Sequence, residues 1–232
     1  MSVTDTDRRE NSQAGTATIS QMFSTPVARI PCPFAADINA LLAELVVERA
    51  DGSGKAFSYK AETSGELTSW GDPSVDRLTR WVARSAHQVV EALTHKSLAA
   101  AYTESLHREA GAAAVGTERE ARVGVAVSRS WASLYRPGDD HEAHFHPNTA
   151  LAAIYYVTAP KTCELDLLDP RPYVDYFDSG ISLAGDRHRV RISCLPGELV
   201  VFPGWLRHAV PPYTDDGERI SLSWNLNYAV HK

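Results

Sequence analysis

The sequence predicts an α+β fold: a jelly roll of two β-sheets with helices packed on one outer face. Three observations carry this. Apolar residues between 36 and 110 recur at spacings of three and four. From about residue 121 the pattern changes to short β-rich runs divided by Pro, Gly and Asp turns. The last of these runs alternates strictly between apolar and polar residues. Helices first, then seven or eight short strands, is the order of an α+β chain. A double-sheeted jelly roll accommodates that many short strands.

Residues 1–18 carry no apolar periodicity and are expected to form a disordered tail, followed by one domain over 19–232. Its helices lie mainly in 36–110 and its barrel strands mainly in 121–230. Met22-Phe23 and Val27 to Ile30 read as a short first strand interrupted by Pro26. Ile38, Leu41, Leu42, Leu45 and Val46 predict a helix over 36–49, with Asp37 as its N-cap. A second helix starts at Asp72-Pro73, with the aspartate as cap and proline at the first helical position. Leu78, Trp81, Val82, Ala86, Val89 and Leu93 carry it forward. Leu98, Tyr102 and Leu106 predict a third over 97–110, and the Ala/Gly segment from Gly111 to Gly116 a loop. Strands follow at 123–127, 130–135, 151–157, 164–168, 190–194, 199–202 and 219–229. In the last, Ile220, Leu222, Trp224 and Leu226 share one face, while Arg219, Ser221, Ser223, Asn225 and Asn227 share the other. The apolar face needs a partner, which the helices supply. The polar face either meets solvent or lines a polar cavity between the two sheets.

Composition sets the outer bounds. The chain has 232 residues, of which 44% are hydrophobic, enough for a sizeable core. Its 23 basic against 29 acidic residues give a net charge of −6, with no basic footprint for nucleic acid. No stretch reaches the roughly 20 apolar residues of a membrane span, and the polar start lacks the apolar core of a secretory signal. Cys32, Cys163 and Cys194 form no C-x-x-C pattern. They read as partly buried free thiols, not a disulfide framework or a Cys-type zinc site. A soluble cytoplasmic protein, without nucleic-acid or membrane partners, is the expectation. Barrel edge strands allow a homodimer.

The chemistry lies among the nine histidines, three of which cluster: His141, His144 and His146. In an extended chain residues i and i+2 point to the same side. His144 and His146 then present two imidazoles to one first-row metal ion, with Phe145 turned away. His208, 208 − 146 = 62 residues downstream, is a third ligand arriving from a distant strand. Three such ligands close a facial triad and leave positions open for substrate or O2. His141 is a weaker candidate, because its i+3 offset from His144 does not suit a strand.

Arg219 lies 219 − 208 = 11 residues past His208 on the polar face of the last strand. If buried, its guanidinium needs an anionic partner, and its planar fork matches a carboxylate. Ser221 on the same face can add a hydroxyl to that carboxylate. A surface ion pair with Asp216 or Glu218 is the alternative.

The order H-x-H-P, then a Tyr-Tyr-Val strand, then P-G-x-L-V-x-F-P-x-W-x-x-H, then E-R-I-S-x-S-x-N resembles the iron(II)/2-oxoglutarate-dependent oxygenase superfamily. More narrowly, it is similar to a 2OG-Fe(II) oxygenase family of mostly bacterial and phage proteins. The pieces are Trp131, His144 to Pro147, Ile154 to Val157, Asp169-Pro170-Arg171, Phe202 to His208 and Glu218 to Ser221, with Met22 to Val27 resembling that family's first strand. The resemblance covers roughly residues 20–230. It implies a double-stranded β-helix, iron(II) held by the H-x-H region and His208, and Arg219 gripping the distal carboxylate of 2-oxoglutarate. It also implies a tyrosine, Tyr155 or Tyr156, touching the same cosubstrate. Only one of the two can face inward, and Tyr156 is the expected one. His146 stands where the wider superfamily has a carboxylate, so the ligand set is neutral.

On this reading the reaction consumes O2 and 2-oxoglutarate, releases succinate and CO2, and hydroxylates a C–H bond of a small molecule. Substrate enters near Trp131, Tyr135, Trp205 and the 136–143 loop, although core packing also accounts for the tryptophans. The 171–188 segment is either a lid or an ordinary surface loop. Two rivals remain. One is a cupin-like three-histidine metalloenzyme that activates O2 directly on its substrate, without 2-oxoglutarate. The other is a non-catalytic metal-binding barrel.

Overall fold

The computed structural model describes residues 23–52, 60–63, 65–110, 122–172 and 188–231. The expected tail over 1–18 and the middle of the 171–188 segment lie outside these residues. The first strand is β1 (Ala28–Pro31), shorter than expected, with Phe23 outside it. Helix α1 (Ala35–Gly52) follows, then the two-residue strand β2 (Ala61–Glu62), α2 (Pro73–Thr94) and α3 (Leu98–Ala110). The remaining strands are β3 (Arg122–Tyr135), β4 (His141–His144), β5 (Leu151–Thr158), β6 (Glu164–Leu168), β7 (Arg189–Ser193), β8 (Glu198–Pro203), β9 (His208–Val210) and β10 (Arg219–His231).

The helices form where the apolar spacing requires. In α1, Ile38, Leu42, Val46 and Ala50 recur every fourth residue and are buried, while Leu41 turns to solvent. Asp37 is not the cap of α1. The helix begins two residues earlier, where the Ala35 and Asp37 amides donate to the carbonyls of Cys32 and Phe34. Asp37 still lies in the first turn, where a negative charge suits the helix dipole. In α2, Asp72 is the cap: its carboxylate accepts from the Ser74 and Val75 amides at 2.8 and 3.1 Å. Val75, Leu78, Val82, Ala86 and Val90 make its buried stripe, while Leu93 lies on the exposed side.

Two antiparallel sheets make the barrel. The larger runs β1-β8-β5-β10-β3-β2 and the smaller β4-β9-β6-β7. This is the double-stranded β-helix, with its helices drawn from the N-terminal half. The runs 123–127 and 130–135, separate in the sequence reading, join as the single strand β3. Opposite β10 the register steps from Asn225↔Arg129 to Leu226↔Val127, leaving Ser128 as an extra residue in a β-bulge. The polar Ser128-Arg129 pair that resembles a turn is absorbed there.

Strand β10 divides the core in two. Ile220, Leu222, Trp224 and Leu226 pack into the cluster beneath α1 and α2, together with Tyr155 from β5. Between the sheets lies a second cluster, which includes Tyr135, Tyr156, Leu165, Phe202 and Tyr213. Arg219, Ser221 and Ser223 face this interior and are buried. The polar face of the last strand therefore lines a cavity. Among the described residues no helix is long and apolar enough to cross a membrane.

Candidate metal centre

Two short strands without a periodic sequence signal bring the histidines together. β4 pairs with β9 so that His144 stands directly across from His208. The chain then leaves β4, and His146 is fixed by its own backbone, whose amide donates to the Gly204 carbonyl at 2.9 Å. Gly204 sits tightly against Thr149: a Cβ there would collide with the Thr149 carbonyl. Only glycine lets the β8–β9 turn press this closely on the histidine loop. The i, i+2 relation of His144 and His146 thus holds, although only His144 lies in a strand.

The three rings adopt one polarity. His144 Nδ1 donates to the Glu142 carbonyl at 2.8 Å, and His208 Nδ1 to the Leu206 carbonyl at 3.0 Å. His146 Nδ1 donates to the Asn225 side-chain oxygen at 2.5 Å. With the proton on Nδ1, each ring keeps its Nε2 lone pair free. The ligand atoms of the three lie within 4.8 Å of one another, and His146 Nε2 is 3.3 Å from His208 Nε2. Two imidazole nitrogens bound to one first-row ion at about 2.1 Å lie about 3.0–3.4 Å apart. Burial, the largest cause, pushes His208 down to about 3, and lowers His144 and His146 as well. All three are neutral near pH 7, so no proton bridges the His146–His208 pair. Buried lone pairs converging on one point fit a cation.

His141 has the opposite polarity. Its Nδ1 lies 3.1 Å from Lys60 Nζ, which can only donate. The proton of His141 is therefore on Nε2, and the ring stacks on His144 with centroids 3.8 Å apart. It packs on His144 and offers no free lone pair at Nδ1. Lys60 is 2% exposed and is tied to Glu62 at 2.6 Å and to Ser133 at 3.5 Å.

Arg219 occupies the other end of the cavity, 2% exposed. One amino group donates to the Glu164 carbonyl at 2.9 Å, and Nε has no partner. The guanidinium carbon lies 5.0 Å from the Tyr135 ring centre and 5.5 Å from that of Tyr156. The Tyr156 and Tyr213 hydroxyls are also buried without hydrogen-bond partners. No carboxylate pairs with Arg219 among the described residues, so the alternative of a surface ion pair falls away: Glu218 instead faces Arg136 at 3.4 Å. Ser221 lies between Ser133 and Tyr156 in register and lines the same cavity. Tyr156 faces the interior, while Tyr155 faces the helices and donates to Asn39 at 2.7 Å.

The aromatic candidates separate. Trp131 stacks on His146 with centroids 5.7 Å apart. Tyr135 is buried against Arg219 and lines the same cavity as the histidines. Trp205 is 52% exposed on the β8–β9 turn and does not line the cavity.

The family model described as "Putative 2OG-Fe(II) oxygenase" matches residues 129–225, the stretch from Trp131 through Arg219 that builds this site. Over these residues the chain is similar to that family. Solved structures agree in fold. HygX from Streptomyces hygroscopicus, with nickel, 2-oxoglutarate and hygromycin B bound, is 12% identical over 88% of this chain and 83% of its own, with a TM-score of 0.54. The non-heme alpha ketoglutarate dependent carbocyclase SnoK from nogalamycin biosynthesis is 14% identical over 87% and 79%, with a TM-score of 0.52. The epimerase SnoN from the same biosynthesis is 15% identical over 88% and 78%, with a TM-score of 0.51. No curated protein matches the chain in sequence.

Two residues of this cavity escape the sequence reading. Asn225 is visible on the polar face of β10, but nothing in sequence ties it to His146, 79 positions away. Lys60 sits on an isolated bridge next to β2, too short to carry any periodic signal.

Proposed function

We propose that the chain is a non-haem iron(II)- and 2-oxoglutarate-dependent oxygenase acting on a C–H bond of a small molecule, with release of succinate and CO2. The observation that carries this reading is the pairing of two features in one cavity. Three Nε2 lone pairs converge at one end, and a buried arginine with an unpaired Nε waits at the other.

In this reading His144, His146 and His208 hold the iron. Arg219 takes the distal carboxylate of 2-oxoglutarate through its free Nε and its remaining amino group, replacing lost hydration with charge-assisted hydrogen bonds. Ser221 and Tyr156 add hydroxyl donors to that carboxylate. Tyr135 covers the guanidinium and keeps water from it. The iron, when bound with its keto acid, supplies the O2 chemistry that decarboxylates the cosubstrate and oxidises the substrate. Asn225, Glu142 and Leu206 hold the three ring protons on Nδ1, keeping the ligand atoms free. Trp131 packs on His146 and fixes its plane, and Trp205 serves the substrate only at the outer rim. The fold relatives include an epimerase and a carbocyclase, so the oxidised substrate need not leave as an alcohol. A cytoplasmic location belongs to the same proposal.

One observation favours a second reading. His146 holds the place of a carboxylate, and three-histidine iron sites also serve enzymes that activate O2 directly on substrate. Anaerobic titration of the Fe(II)-loaded protein with 2-oxoglutarate separates the two. The proposal expects the visible charge-transfer band of a chelated keto acid, lost in Arg219→Ala while iron is retained. Iron binding with no band in the unmodified protein favours the direct dioxygenase.

A further inference from the structure

Two of the three cysteines have no part in this chemistry, yet they lie against it. Cys163 immediately precedes β6, and Cys194 immediately follows β7. These strands pair antiparallel with Glu164 opposite Ser193, so continuing the register sets Cys163 directly opposite Cys194. The Cys194 amide donates to the Cys163 carbonyl at 2.9 Å. Both side chains are buried in the cluster between the sheets, beside Tyr156. The Arg219 guanidinium lies over the ring of that Tyr156, and the Cys194 thiol donates to the Ile192 carbonyl at 3.8 Å.

We infer that Cys163 and Cys194 form a reversible dithiol–disulfide pair that loosens the grip of Arg219 on its anion when oxidised. Directly opposed residues in an antiparallel pair have Cβ atoms about 4.5–5.5 Å apart, while a disulfide brings them to about 3.5–4.5 Å. Closure is therefore a movement of about 1 Å. A bond made by drawing a ladder inward holds some strain and is readily reduced. The movement reaches the cavity by a short path. Cys163 is bonded to Glu164, whose carbonyl holds the Arg219 amino group at 2.9 Å. Pulling the start of β6 toward β7 shifts that carbonyl.

The oxidant is a hydroperoxide, small enough to enter the barrel. The Cys194 sulfur attacks as the thiolate, and the balance is the same with the two roles exchanged. The thiolate displaces one oxygen of hydrogen peroxide as hydroxide and becomes a sulfenic acid. The Cys163 sulfur displaces the second oxygen, which leaves as water once protonated. Two S–H bonds are lost, one S–S bond forms, and two electrons and two protons pass to peroxide, giving two waters.

The coupling to 2-oxoglutarate rests on the function proposed above; the disulfide does not. The test treats the full-length, metal-free chain with hydrogen peroxide. Intact mass and peptide mapping follow, and then 2-oxoglutarate affinity is measured calorimetrically after Ni(II) loading. The expected result is the loss of two hydrogens, a Cys163–Cys194 cross-linked peptide with Cys32 free, and affinity at least about five-fold weaker. Dithiothreitol should restore both mass and affinity. Cysteines that stay reduced, or pass to sulfinic acid without a cross-link, overturn the pair. A disulfide that leaves affinity unchanged overturns the coupling. Reduced protein that fails to bind 2-oxoglutarate overturns the functional reading and the coupling with it, while mass still decides the disulfide.

Discussion

Asn225 and His146 touch at a single atom pair, 2.5 Å apart, yet that contact decides which ring nitrogen faces the cavity. An imidazole left without it can place its proton on Nε2 or turn about χ2, and either change removes a ligand. Asn225→Ala is expected to weaken Co(II) binding about 10–100-fold, measured by isothermal titration, with the fold retained. Unchanged affinity would remove Asn225 from the site. The opposed polarity of His141 follows the same logic. Lys60 donates to its Nδ1, whereas the other three donate from theirs, so neighbours in the sequence differ in role. The candidate ligands were legible from H-x-H spacing, but their protons were not. A tautomer is set by the atom across from the ring, and Asn225, Glu142 and Leu206 reach the three rings from three different segments.

At the scale of elements, the site depends on a turn pressed against a loop. Gly204 joins β8 to β9, accepts from the His146 amide, and donates to the Ala150 carbonyl at 3.1 Å. Gly204→Ala forces a methyl group against the Thr149 carbonyl. The expected cost is about 1–3 kcal/mol of stability by urea denaturation, with a larger fractional loss of Co(II) affinity than Asp72→Ala. The latter removes the α2 cap at about 1 kcal/mol and leaves the site untouched. Equal metal affinity in the two variants would mean that the turn does not hold His146. The legible elements were those with long patterns: α2 with its Asp-Pro start, and β10 with its alternation. β4 and β9 have four and three residues, too few for a period to show. Their pairing is a tertiary event, and it is the event that sets His144 opposite His208.

For the whole molecule, the buried histidines link folding to pH. Burial lowers His208 from an ordinary 6.5 to about 3, and His144 and His146 shift in the same direction. In the unfolded chain these rings take up protons below about pH 6.5, which folded His208 refuses until about pH 3 and folded His144 and His146 also resist. Over that window the unfolded state binds more protons, so stability falls as pH falls. The metal-free protein is expected to melt at progressively lower temperature from pH 6.5 to pH 4, and the slope should be shallower in His208→Gln. A flat profile across that window would show that the rings are solvated in the metal-free chain.

Taken alone, the sequence determined the α+β class, the helical stripes, the two faces of β10 and the residue types of the proposed metal and anion site. Each is a matter of local periodicity or of chemistry carried by the side chain itself. Only the tertiary structure decided that the polar face of β10 closes over a cavity, and that Tyr156 faces Arg219 while Tyr155 faces α1. It alone set Tyr135 beside Arg219, left Trp205 exposed outside the cavity lining, and brought Lys60 and Asn225 to the histidines. The physical reason is common to all of these. Burial, ring polarity and the partner of a charge depend on atoms supplied by distant segments, and only packing the two sheets face to face brings those atoms together.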